Sequence, residues 1–467
     1  MKAFIGKFKE KFIGDSAFYR YIIALVVPMI LQNVVTNFVS LLDNIMVGRV
    51  GTAQMTGVSI VNNLIFVFNI SVFGAVSGPG IFGAQFFGRG DHEGQKYTFR
   101  FRLFAVMLIT VIAALVLHFF DTELISLYIS ETASPEAAAL TMKYAKDYLS
   151  VMMFTLLPFA IGQAYSSVVR ECGETRIPMI GSFSAVAINL VLDYGLIFGK
   201  FGLPCLGVKG AAAATVIAKT IEALVVVIWA HVKKERNKYI IGLYKSFYMP
   251  AKLVGTMILK GTPLLLNEFM WAAGCATLTQ CYSYKGLDVV AGTNIASTMT
   301  NLFGVVYLQL GAVIAIVVGQ KLGAGKLDEA KDYDNKMFFF AVVVGAGVGI
   351  VMLPIAKVFP NLYNTTDEIR GLATYFITIQ AIAMPLWSFA NASYFTIRSG
   401  GKTGITFIFD SGYTWVLMVP VAYILSRFTN LSIYWVYALT TYCDVAKCVL
   451  GYFFVKSNMW LNTIVAE

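Results

Sequence analysis

Beginning at Arg20, the sequence runs apolar for about two dozen residues, and runs of that length recur to its end. As helix, at 1.5 Å per residue, about 20 such residues cross the ~30 Å of a bilayer's hydrocarbon. Twelve can be drawn, the first over 19–43, the seventh over 253–281 and the last over 431–455. Charge agrees: 13% of the residues are charged, against about 25% in a soluble domain, too few to cover this chain in water. The expectation is an all-α integral membrane protein with twelve transmembrane helices. No small-residue cleavage site closes the first apolar run, so a cleavable signal peptide is not expected.

Basic residues set the orientation. Lys7/Lys9/Lys11, Arg100/Arg102 and Lys233/Lys234/Arg236/Lys238 fall in segments on one side of the membrane. The positive-inside rule makes that side the cytoplasm and puts both termini there, in a multi-pass protein of the plasma (cytoplasmic) membrane. The net charge of +10 is thus a record of topology, scattered over short loops, and no nucleic-acid partner is expected.

A second regularity is duplication. Pro28 opens the stretch PMILQNVVTNFVSLLDNIMVGRVG, whose apolar run carries Gln32, Asn33, Asn37 and Asp43. Pro263, 235 residues later, opens GTPLLLNEFMW's apolar run with Asn267 and Glu268 just beyond. At the same offset Gln85 matches Gln320, Gly88 matches Gly323, and Gly90 matches Gly325. Farther along the offset becomes 228, where Arg170 matches Arg398 and Lys219 matches Lys447. The expected organisation is an amino-terminal six-helix lobe over 1–230, a cytoplasmic linker over 231–252 and a carboxy-terminal six-helix lobe over 253–467. Six spans per repeat is even, so the pseudo-two-fold axis lies along the membrane normal. Pro28 and Pro263 each remove a backbone bond and crowd the preceding turn, which makes them candidate hinges.

Polar groups in such spans are costly unless they face protein or a wet cavity, so they mark function. Asn189 and Asp193 stand four apart, on one helical face. Asp43 and Thr215 are delivered to a similar depth by two other helices. Oxygen ligands from three helices suit a hard cation, and a carboxylate there can equally take up and release a proton. The competing reading is that Asp43 caps a helix end and Asp193 bonds to its neighbours. Gln32, Asn33 and Asn37 are candidates for substrate contact, and in the second half Glu268, the repeat mate of Asn33, and Asp410 are second-lobe candidates. Lys219 with Glu222, and Asp444 with Lys447, stand three apart and read as self-neutralising locks. Phe38, Phe66, Phe269, Met270, Trp271 and Met299 could line a greasy wall, though packing or lipid contact explains such residues as well. The six cysteines form no CxxC pair and the three histidines are dispersed, so no resident metal, cofactor or enzyme centre is expected.

Pro28–Gly51, AQFFGRGD (84–91), RECGETRIP (170–178), NLVLDYGLIFG (189–199), LGVKGAAAAT (206–215), GTPLLLNEFMW, GQKLGAGK and RSGGKT, in this order and spacing, resemble the MATE (multidrug and toxic compound extrusion) family of bacterial type. The resemblance covers essentially the whole chain. It implies a two-lobed antiporter that expels organic, often cationic, compounds in exchange for Na⁺ or H⁺ by alternating access, with no cofactor besides the coupling ion. It also implies that Asp43, Asn189, Asp193 and Thr215 are the first-lobe cation site. Members of the family often carry a functional acid on the seventh helix, here matched by Glu268, whereas the acid some carry on the tenth is missing. The expected partners are small organic substrates and membrane lipids, with the chain a monomer. The alternative is a flippase for lipid-linked saccharides or another amphipathic metabolite; it would want several cationic side chains for diphosphate, and the span interiors offer Lys219 and Lys447, each beside an acid.

Overall fold

The computed structural model describes residues 2–129 and 134–465. Among them the regular structure is helical and no strand occurs. After a short basic helix, Lys2–Phe12, come α1 (Ser16–Gly48), α2 (Thr52–Arg89), α3 (His92–Phe119), α4 (Pro135–Glu171), α5 (Arg176–Phe198) and α6 (Val208–Val232). The second half supplies α7 (Ala251–Ser283), α8 (Leu287–Gly323), α9 (Leu327–Val358), α10 (Asp367–Ser399), α11 (Thr403–Phe428) and α12 (Ile433–Lys456). Eleven of these have the length and apolarity to cross a membrane. α7, with 33 residues, has the length as well, and interrupts its apolar run with Lys260, Asn267 and Glu268. The observed helices are longer than the apolar runs because polar ends continue the same hydrogen-bond ladder beyond the apolar stretch.

The chain divides into two compact units: residues 27–83 with 92–255, and residues 1–26 with 84–91 and 256–467. Two of the early helices contribute to both. α1 changes unit between Val26 and Val27, next to Pro28, which lies inside a continuous helix. α2 changes unit between Gly83 and Ala84.

In the first unit, α5 packs along α6, and α4 on α3 and α6. The apolar core runs through Val61, Phe68, Phe99, Leu149, Tyr165 and Val226. One ion pair is sealed within it. Arg102 on α3, fully buried, meets Glu171 at 2.6 Å and also donates to the Pro79 carbonyl at 3.0 Å and to Ser167 at 2.9 Å. Gly80 and Gly83 leave the room: a Cβ at Gly83 would collide with both partners. The segment after α6 folds back onto this unit, burying Tyr239, Ile240 and Leu243, and Arg100 caps three of its carbonyls, those of Gly242, Leu243 and Tyr248, at 2.9–3.0 Å.

In the second unit α10 is the central helix, packed on α8, α9 and α12. Gly345 sits against Ser388 and Gly349 against the Ala381 carbonyl, so α9 and α10 approach closely. Phe18 and Tyr19, at the start of α1, pack on Tyr333 and Phe340 of α9. The end of α2 crosses the end of α8 through repeat mates: a Cβ at Gly88 would strike the Gln320 carbonyl, and one at Gly323 the Gln85 carbonyl. Gln85, fully buried, then donates to the Ser399 carbonyl at the end of α10 at 3.0 Å and binds the segment after α12, donating to the Asn462 carbonyl at 3.2 Å and accepting from the Ile464 amide at 2.9 Å. Thr463 donates to the Leu322 carbonyl at 2.7 Å, and Trp460 is buried beneath Gly400.

The reciprocal glycines set a test. Gly88→Val forces a side chain into the Gln320 carbonyl, and overpacking of this kind costs about 1–3 kcal/mol. The variant purified in detergent is expected to unfold several degrees below the parent, whereas Gly90→Ala, at a glycine whose Cβ meets open space, shows the smaller loss that its positive φ imposes.

Candidate functional site

Two helices of the first unit bring acids and an amide together. Asp43 near the end of α1 and Asp193 on α5 lie within electrostatic reach of one another, and Asn189, one turn before Asp193, stands beside the same carboxyl. Asp193 and Asn189 are buried. Both Asp193 oxygens, Asp43 Oδ1 and Asn189 Nδ2 lack a conventional partner. Two carboxylates facing each other without a donor repel unless something positive lies between or beside them. Thr215, on α6, instead donates to the Ala211 carbonyl at 3.0 Å.

Beside this acid pair runs a polar chain. Arg170 donates to Gln32 Oε1 at 2.9 Å; Gln32 donates to Ser182 at 2.7 Å; Ser182 donates to Glu222; and Lys219 closes on the other Glu222 oxygen at 2.8 Å. The chain ties α1, α4, α5 and α6 into one group. Gln32 is thus a structural link here, Asn33 bonds to its own helix at the Met29 carbonyl, 2.9 Å away, and Asn37 is exposed. Tyr148 of α4 is the residue that sequence reasoning missed: buried, it lies within electrostatic reach of both Asp43 and Asp193 and donates weakly to Asn62 at 3.4 Å. A lone tyrosine in an apolar run gives no spacing signal to find it by.

The second unit has a counterpart built at repeat-related positions. Asn267, mate of Gln32, donates to Asp410 at 2.9 Å; Asp410, mate of Ser182, binds Lys447 at 2.7 Å; and Lys447 is the mate of Lys219. Asn267 also accepts from Ser411 Oγ at 2.6 Å. Here α11 widens into π-helical turns over Ile408–Gly412 and Thr414–Met418, which turn Asp410 and Ser411 together toward Asn267. α12 is interrupted at Cys443, whose carbonyl accepts from the Ala446 amide at 2.8 Å and from the Tyr413 hydroxyl at 2.5 Å. The expected Asp444–Lys447 lock is therefore only part of the arrangement: Lys447 makes its close contact with Asp410 on the neighbouring helix, while Asp444 accepts from Trp387 at 2.8 Å. Glu268 is half-buried, within electrostatic reach of Arg398 and Asp410. No carboxylate pair like Asp43–Asp193 recurs, because the mates of Asp43, Asn189, Asp193 and Thr215 are Leu278, Leu417, Val421 and Cys443. Of the suggested apolar wall, Met299 is core, whereas Phe38, Phe66 and Trp271 are exposed. The buried cations also exceed the two lysines counted from sequence, since Arg102 is drawn fully inside.

Eleven helices long and apolar enough to span a membrane, together with α7, in two sequence-related sets that each hold their own acids and amides, define a polytopic membrane protein. The MatE family model matches residues 28–195 and 263–424, more than half of the chain. The chain belongs to the MatE family. Among similar proteins, the "Probable multidrug resistance protein YoeA" of Bacillus subtilis is 24% identical over 93% of each chain. The "Probable multidrug resistance protein NorM" of Thermotoga maritima is 22% identical, covering 94% of this chain and 92% of the relative. Among solved structures, one described as the outward-facing conformation of a multidrug resistance MATE family transporter superposes with a TM-score of 0.83 at 20% identity, over 96% of each chain. MATE in complex with MaD3S gives the same score, identity and coverage.

The Asp410–Lys447 pair gives a clean test. Lys447→Met strands a buried carboxylate, a loss of about 3–5 kcal/mol by precedent, whereas replacing both partners by apolar groups is often near neutral. Thermal unfolding should therefore fall sharply for Lys447→Met and recover in Lys447→Met/Asp410→Leu.

Proposed function

We propose that the chain is a secondary antiporter of the cytoplasmic membrane that exports organic, often cationic, compounds by alternating access in exchange for Na⁺ or H⁺. The observation that carries this reading is the pairing of half-buried Asp43 with buried Asp193, with Asn189 beside it. Its ligand atoms are carboxylate oxygens and an amide oxygen, which suit a hard monovalent cation as cargo, and either carboxylate can equally carry a proton. Printed descriptions of the relatives, multidrug resistance proteins, support the substrate class. A flippase reading is disfavoured because the buried arginines are engaged, Arg102 by Glu171 and Arg170 by Gln32.

The work available is adequate. Moving one elementary charge down 100 mV releases about 2.3 kcal/mol, enough to drive export if cation release and substrate uptake exclude one another. The chain is proposed to work as a monomer among membrane lipids, with both termini in the cytoplasm and Pro28 as the hinge at which α1 changes unit. Glu268 and Pro263 are the second-lobe candidates for substrate contact and bending.

Proteoliposomes given a Na⁺ gradient or a pH gradient separately decide the matter. Asp193→Asn keeps the shape of the site and removes its charge, so uphill export should fall at least a hundredfold with little change in thermal stability. Asp43→Asn should weaken the same step less. Normal pumping by Asp193→Asn, or export that requires ATP and ignores both gradients, overturns the reading. Pro28→Ala restores a backbone donor inside α1 and should slow turnover several-fold in a normally folded protein, read as substrate flux per purified molecule.

A further inference from the structure

The Lys219–Glu222 contact looks like a lock, but the groups around it are more than a lock needs. Glu222 already receives Ser182 on one oxygen, and Arg170 lies within electrostatic reach of it. One carboxylate thus has two cations to serve it, while close by both Asp193 oxygens and Asp43 Oδ1 lack a donor. Several other ionic groups of this unit pair locally: Arg102 with Glu171, Lys209 with Asp147, Lys146 with Asp121, Lys96 with Glu93. Around Glu222 and the acid pair themselves stand two cations, Arg170 and Lys219, and three acids, Glu222, Asp43 and Asp193. A single monovalent cation on the acid pair cancels the excess.

Lys219 is placed to act when that cation is gone. It stands one turn beyond Thr215 on α6, and side chains of a helix lean back toward its amino terminus, here toward Thr215 and the acid pair. Its ammonium lies within electrostatic reach of Asp43 even while it rests on Glu222. The lysine side chain is 29% exposed, against 14% for its repeat mate Lys447, so it is the less confined of the two. If it leaves, Glu222 keeps Ser182 and the field of Arg170. Lys447 is the more tightly held: Asp410 is its close partner at 2.7 Å, and the other acid within its electrostatic reach, Asp444, accepts from Trp387.

We propose that Lys219 is a tethered counter-cation that moves from Glu222 to the Asp43–Asp193 pair when the one exchangeable monovalent cation departs. The ammonium and the coupling cation then compete for the same carboxylates, and the emptied pair crosses its conformational change with one of its two negative charges answered instead of neither. This makes Lys219 a positioning residue that acts through the acid pair, and it rests on the antiport reading above.

The test uses the full chain. NaCl titrated calorimetrically at fixed pH, and proton uptake after a pH jump in Na⁺-free buffer, identify which cation the parent binds. Lys219→Gln removes the internal competitor, so affinity for that cation should rise roughly tenfold, as expected for loss of a like charge nearby, while gradient-driven export in proteoliposomes falls at least tenfold. Lys219→Arg, which keeps the charge, should restore export. The double variant Lys219→Gln/Glu222→Gln separates this role from a lock: it should recover thermal stability but not export. Unchanged cation affinity in Lys219→Gln, or normal export by the double variant, overturns the proposal. A parent that shows neither Na⁺ binding nor proton uptake overturns the antiport reading itself, and Lys219's role with it.

Discussion

A carboxylate carried into hydrocarbon has only the protein to answer it, and much of the side-chain arrangement follows from that constraint. Arg102 is buried because Glu171 is, and Gly80 and Gly83 are small because the pair needs their space. In each unit an amide on the leading helix, Gln32 or Asn267, is bonded to the fifth helix of the repeat, and a lysine on the sixth closes the group. The acid has moved between copies, from Glu222 on the lysine's own helix to Asp410 on its neighbour. The same three positions therefore serve two different balances. In the second unit the lysine's close contact is Asp410. In the first its close contact is Glu222, and the two opposed carboxylates, Asp43 and Asp193, stand beside the group without such a partner.

Much of this was legible in the sequence where a group repeats or recurs at helical spacing. Asn189 and Asp193 announce a shared face, and Pro28 with Pro263 announces the duplication. Gly88, Gly323, Gln85 and Gln320 were visible as repeat mates; that each glycine packs on the other copy's glutamine carbonyl was not, since a repeat says which residues are equivalent and nothing about whether they touch. Arg102 and Glu171 are far apart in sequence and each lies at the end of an apolar run, so both looked like solvated loop charges. Asp410 was visible as an acid, but its partner was misjudged: three-residue spacing favoured Asp444 for Lys447, while the π-helical turns of α11 present Asp410 instead. Such widening leaves no compositional mark, because it depends on what the neighbouring helix offers.

The division of α1 and α2 between units follows from the same physics. α1 begins against α9 at Phe18 and Tyr19 and later supplies Gln32 and Asp43 to the first unit. Pro28, which removes one bond from the helix's backbone ladder, falls beside the residue at which α1 changes unit.

The buried amide of Gln85 also constrains how the molecule is made. Its acceptor at Asn462 and its donor at Ile464 lie 377 and 379 residues downstream. At ~5–20 residues per second, a ribosome needs roughly 20–75 s to reach them after Gln85 has been read. Until then α2 ends without those neighbours, and a glutamine bound for a dry site must stay hydrated or borrow a partner.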